Sequence, residues 1–77
     1  MNNTFPLLKA RIGSQVIIDE LKGGPGFYRR LIDMGLLPGT NIEIISGGTN
    51  GPIIIAKDGI RIGIGARMAA KIFVRPA

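Results

Sequence analysis

The sequence predicts a mainly β domain with short helices: a small barrel of about five strands, with a helix inserted after the first strand. Three observations lead there. Isoleucine fills fourteen of the 77 positions and aromatics make up only 5%, so the core is drawn from β-branched aliphatics that favour strands. Asp58-Gly59, set between Lys57 and Ile60, is a strong two-residue hairpin signal. The stretch from Arg30 through Gly35 to Thr40 reads as the end of a short amphipathic helix, a glycine stop and a Pro-Gly turn that launches a strand.

Each element follows in order. Residues 7–12 form a short lead-in, broken by Gly13-Ser14, and residues 15–21 form the first strand. Lys22-Gly23-Gly24 is a turn, and Pro25 suits the first helical position, where its missing N–H costs nothing. Phe27, Leu31 and Met34 then share one helical face, and Gly35 closes the helix. Pro38-Gly39 fits the centre of a type II turn. Strands follow over 40–45 and 52–57, with a flexible loop over 47–51 between them. Beyond the Asp58-Gly59 turn, Ile60, Ile62 and Ile64 alternate with Arg61 and Gly63, which predicts one buried face and one open face. Gly63 and Gly65 read as a bend or close backbone approach at a barrel corner. Residues 65–70 make one helical turn, and 71–75 form a closing strand stopped by Pro76.

The bulk composition bounds the answer. Residues 1–77 are expected to make one domain with a modest core, and no cysteine staples it. The longest apolar run, Ile53 to Ala56, is far short of the roughly 20 residues of a spanning helix. The N-terminus lacks the basic and apolar regions of a secretory signal, so a cytoplasmic location is the expectation. Ten Lys and Arg against five acids suit an acidic partner, a nucleic acid or an anionic membrane face, although they also serve solubility.

The ordered set of segments resembles the FeoA family, small accessory proteins of bacterial ferrous iron transport. The resemblance runs over residues 7–76. It is carried by the helix-to-strand junction Arg29-Arg30-Leu31-Ile32-Asp33-Met34-Gly35-Leu36-Leu37-Pro38-Gly39-Thr40, by Gly51-Pro52-Ile53-Ile54-Ile55, and by Arg67-Met68-Ala69-Ala70-Lys71-Ile72-Phe73-Val74. One corner departs: Gly63-Ile64-Gly65-Ala66-Arg67 is glycine-rich and basic where many relatives carry a polar or acidic cluster. The resemblance implies an SH3-like barrel that docks on the cytoplasmic side of FeoB, a large membrane transporter with a GTPase domain. The protein would then meet the membrane only through that partner. Similar domains also end metal-dependent repressors, so the fold does not by itself fix the role.

The residues carry no catalytic or metal-binding constellation. Without His or Cys, the hydroxyls have no imidazole base and the nitrogen and sulfur donors typical of transition-metal sites are missing. Asp19, Glu20, Asp33, Glu43 and Asp58 are dispersed, so no cofactor, metal ligand or enzyme activity is expected and any effect on iron runs through the partner. The expected partner surface comprises Arg29, Arg30, Asp33, Leu36 and Leu37, with Arg61 and Arg67 as further basic positions; Arg29 could pair with Asp33. For each leucine taken singly, the simpler reading is a plug at the barrel end. The competing readings are a small basic nucleic-acid-binding barrel and a repressor-related regulatory domain. Only Phe5, Phe27, Tyr28 and Phe73 could stack on bases, and Phe27 and Phe73 read as core, so no nucleic acid is expected. A polyproline groove would likewise want more aromatics. An exposed edge strand would offer a surface for homo-oligomers.

Overall fold

The structure, a computed structural model, describes residues 3–47 and 51–77. Residues 48–50 of the expected 47–51 loop therefore lie outside the described residues. The elements are β1 (Phe5–Pro6), a 3-10 turn (Leu7–Lys9), β2 (Gln15–Leu21), α1 (Gly24–Asp33), β3 (Asn41–Ser46), β4 (Ile53–Lys57), β5 (Ile60–Ile64), α2 (Ala66–Ala69) and β6 (Ile72–Pro76). The strands form one six-stranded sheet in the order β1-β6-β2-β3-β4-β5, with every pairing antiparallel.

The sheet thus has six strands rather than five, and the helix follows the second. The added strand is β1, in which Phe5 lies opposite Val74 and Pro6 opposite Phe73. Two residues are too few to show alternation, and a proline is tolerated there because β1 is an edge. The 3-10 turn that follows β1 packs against α2, which follows β5.

One apolar cluster fills the interior. Val16, Ile18, Ile42, Ile44, Ile53, Ile55, Ile64, Ile72 and Val74 enter it from the sheet, and Leu7, Leu31, Leu36 and Ala69 from the connections. Ile18 is fully buried and Leu21 packs against the cluster, although three positions separate them. A regular strand would turn them to opposite faces. The pairing of β2 with β6 shifts register between Ile18 and Glu20, so Asp19 is the bulged residue and alternation restarts beyond it.

Asp19 accepts a 2.9 Å hydrogen bond from Arg75 Nη1 outside the sheet. Both side chains are about a third exposed or more, so Asp19→Asn is expected to cost at most about 0.5 kcal/mol in urea denaturation.

Two expectations for burial change. Ile60, Ile62 and Ile64 do alternate with Arg61 and Gly63, but only Ile64 is buried and Ile60 is 64% exposed. The strand runs on past the edge of the core. Phe73 is half-buried on the outer side of the sheet, with the Lys22 ammonium 4.4 Å from its ring centroid, so it is not core. Phe27 is half-buried against the core, as are Phe5 and Met34. The close approach expected at Gly65 is absent: an added Cβ there would meet nothing within 4 Å.

The helix ends as its sequence dictates. Gly35 has φ +79°, its N–H donates to Ile32 O at 2.9 Å, and the Leu36 N–H donates to Leu31 O at 2.8 Å. This paired arrangement is a Schellman motif, and its hydrophobic contact is that of Leu36 with Leu31. A Cβ on Gly35 would also lie 2.7 Å from Lys57 Nζ, so an ammonium group stands at the negative end of the helix dipole. Beyond it the Thr40 N–H closes the Pro38-Gly39 turn on Leu37 O at 3.0 Å, and Gly39 N–H donates to Ile18 O. The predicted hairpin is equally plain, with φ of +52° at Asp58 and +81° at Gly59.

Candidate functional site

The buried face of α1 consists of Leu31, flanked by Phe27 and Met34. Helical periodicity then turns Pro25, Tyr28, Arg29, Ile32 and Asp33 outward as one stripe. They line a shallow depression on the protein surface. Tyr28 is 42% exposed and Ile32 is 40% exposed, so two large apolar side chains one helical turn apart face solvent without cover.

Arg29 and Asp33 bracket this pair with opposite charges. They form no ion pair; among the described residues the ion pairs are Lys57–Asp58 and Asp19–Arg75. Both charged groups are exposed and open to an external partner.

The other expected positions scatter. Arg30 is exposed but does not line the depression. Leu36 is fully buried and belongs to the core, because the Schellman turn folds it back on Leu31; it is not available to a partner. Leu37, the next residue, is 42% exposed. Arg61 lies on the edge strand β5 opposite Ala56, and Arg67 lies on α2. Neither lines the α1 depression. Pro25, Tyr28 and Ile32 were not among the expected partner-surface positions, although their helical spacing from Arg29 and Asp33 was the signal that could have found them.

The aromatic rings bear on the nucleic-acid alternative. Lys22 covers Phe73, Lys71 stands 5.8 Å from the Phe27 ring centroid, and Phe5 packs on the core. Tyr28 is the exposed aromatic among the described residues. Base stacking needs a platform of several free rings. As for metals, no three of His, Cys, Asp and Glu come together among the described residues. The same residues contain no helix long and apolar enough to cross a membrane.

A six-stranded sheet in this order, with this helix, has relatives. The family model for the FeoA domain matches residues 5–76. The chain belongs to the FeoA family. A protein of Methanocaldococcus jannaschii named "Putative Fe(2+) transport protein A" is 38% identical over 73 residues, covering 95% of this chain and 88% of that one. A crystal structure of an iron uptake regulatory protein, FeoA, superposes with a TM-score of 0.89 at 34% identity, over 96% of this chain and 99% of that one.

The same SH3-like fold recurs in a manganese-dependent transcriptional repressor. Its TM-score is 0.89 at 18% identity, over all of this chain and 44% of the repressor. At that identity the likeness is one of fold. In the glycine-rich, basic corner from Gly63 to Arg67, Gly63, Gly65, Ala66 and Arg67 are exposed.

Proposed function

We propose that this chain is an accessory protein of ferrous iron uptake that works by docking on the cytoplasmic side of the FeoB transporter. Membership of the FeoA family supports the pathway. The observation that carries the docking surface is the outward face of α1, where exposed Tyr28 and Ile32 are bracketed by Arg29 and Asp33. An aromatic and an arginine around an aliphatic anchor are the residue types that dominate interface energetics. Arg30, Leu37, Arg61 and Arg67 extend the exposed polar and apolar surface around the domain and stand as secondary candidates.

The reading assigns no reaction to the chain and no iron to its side chains. The chain has no His or Cys and its carboxylates are dispersed, so an influence on iron flux is exerted through the transporter.

Calorimetric titration of this protein into the cytoplasmic part of its cognate FeoB is the test. Saturable binding is expected, weakened about tenfold or more by Arg29→Glu combined with Ile32→Ala. Unchanged affinity in that variant would move the interface off α1, and no binding by the unmodified chain would overturn the reading.

A further inference from the structure

β5 stands at one edge of the sheet and pairs with β4 alone. The opposite edge, β1, is two residues long and holds a proline, so it offers little to a further strand. The β4–β5 hairpin fixes which groups the open side of β5 presents. Across a two-residue turn the flanking residues exchange both backbone hydrogen bonds, and every second pair beyond them does the same. Here the exchanging pairs are Lys57–Ile60, Ile55–Ile62 and Ile53–Ile64. The N–H and C=O of Arg61 and Gly63 therefore turn away from β4. Both residues are exposed, and among the described residues no backbone partner meets these groups.

A second copy of the same strand matches this edge about a two-fold axis at Ile62. Antiparallel pairing then sets Arg61 of each copy opposite Gly63 of the other, and each such pair exchanges the hydrogen bonds that β4 leaves open. The guanidinium faces a residue without a side chain, where centring the axis on Arg61 would set two like charges face to face. On the other face of the strand, Ile60 is 64% exposed, beyond the edge of its own core. The same axis brings it opposite Ile64 of the second copy and diagonal to that copy's Ile62.

We propose that β5 is a homodimerisation edge, separate from the α1 stripe, through which two copies of this chain join their sheets. The self-paired register uses every open backbone group of Arg61 and Gly63, separates the two arginines and covers the exposed isoleucine. A foreign strand would satisfy the same backbone groups, but the Arg61–Gly63 match is supplied by the chain itself. The dimer is weak, because one strand pairing buries less than a standard interface and each copy carries a net charge of +5.

Sedimentation equilibrium of the intact chain, up to about 1 mM, is the test, and a Kd on the order of 100 μM is expected. Gly63→Glu sets a carboxylate opposite Arg61 in both pairs and is expected to tighten the dimer about fivefold; Gly63→Lys is expected to weaken it as much. A Cβ at Gly63 meets Ile54 Cδ1 at 3.4 Å, an ordinary contact, and a thermal melt verifies that each variant folds. Glu or Lys at exposed Leu37 changes the net charge equally and is expected to move the Kd less than about twofold. The chain has no cysteine, so single cysteines read the register. Ile62→Cys, on the axis, is expected to crosslink two copies under mild oxidation. Arg61→Cys lies diagonal to its counterpart, beyond the reach of a disulfide, and is expected not to. A monomer at about 1 mM would overturn the proposal and leave the edge to an extended segment of another protein. Indifference to the charge at residue 63, or faster crosslinking through Arg61→Cys than through Ile62→Cys, would overturn it as well.

Discussion

Leu36→Ala is expected to lower stability by about 3 kcal/mol, with roughly 15 °C lost from the melting temperature of a domain this small. Leu36 is fully buried and follows Gly35 directly, so its side chain serves two structures at once. It fills the core beside Leu31, and it makes the apolar contact that belongs to the Schellman turn. Truncation opens a cavity that the sheet cannot close, because Ile18, Ile42 and Ile55 are themselves buried in the same cluster. Leu37→Ala, one residue on, is expected to change stability by less than about 0.5 kcal/mol. Parallel urea melts of the two variants decide the matter. Equal effects would mean that the two leucines share the core. Leu31→Ala combined with Leu36→Ala should be non-additive, since the two side chains share one contact.

The second large effect is expected at a glycine without a positive φ. Gly23 precedes α1 with φ −122°, a backbone open to any residue, and N-cap statistics would favour Ser there. Yet a Cβ on Gly23 would collide with the Phe27 ring and lie 2.6 Å from Phe27 Cβ. The ring cannot swing freely, because it packs against the core with the Lys71 ammonium near its outer face. Gly23→Ala is therefore expected to destabilise the protein by about 2 kcal/mol, and Gly23→Ser by a similar amount despite its capping hydroxyl. In a Phe27→Ala background, which removes the ring but keeps the Cβ 2.6 Å from the new one, the same Gly23→Ala change should cost less than in the parent but not vanish, and a double-mutant cycle reads the difference. A full penalty in that background would place the strain in the backbone and Cβ rather than in the ring.

Both predictions turn on contacts that no local pattern displays, and the same division runs through the rest of the molecule. The α1 stop, the Pro38-Gly39 turn and the Asp58-Gly59 hairpin were legible because each is closed by residues within about one turn of chain. Their backbone angles follow from glycine and proline alone. The strands from Gln15 onward were legible because runs of β-branched residues such as Val16-Ile17-Ile18 and Ile53-Ile54-Ile55 lie between turn signals, and because Ile60, Ile62 and Ile64 alternate with Arg61 and Gly63. The FeoA resemblance rests on this same ordered set of local signals, and so it survived intact.

Two of the five residues on the outward α1 stripe, Arg29 and Asp33, were among the expected positions, and the same helical spacing would have added Pro25, Tyr28 and Ile32. Arg61 and Arg67 could not be placed by any such rule, since they sit on elements whose neighbours are set by sheet order.

What the chain determined by itself is thus the type and order of its main elements, the ends of its helix and turns, and its family. The tertiary structure decided which apolar residues are inside. Ile60 and Ile64 lie on one face of one strand, yet only the second reaches the core. Leu36 and Leu37 are adjacent, yet one is core and the other surface. The bulge at Asp19 and the two-residue β1 are products of pairing between distant segments. Local conformation depends on a residue and its near neighbours, whereas burial depends on how far the other elements extend over it, and only the assembled sheet supplies that.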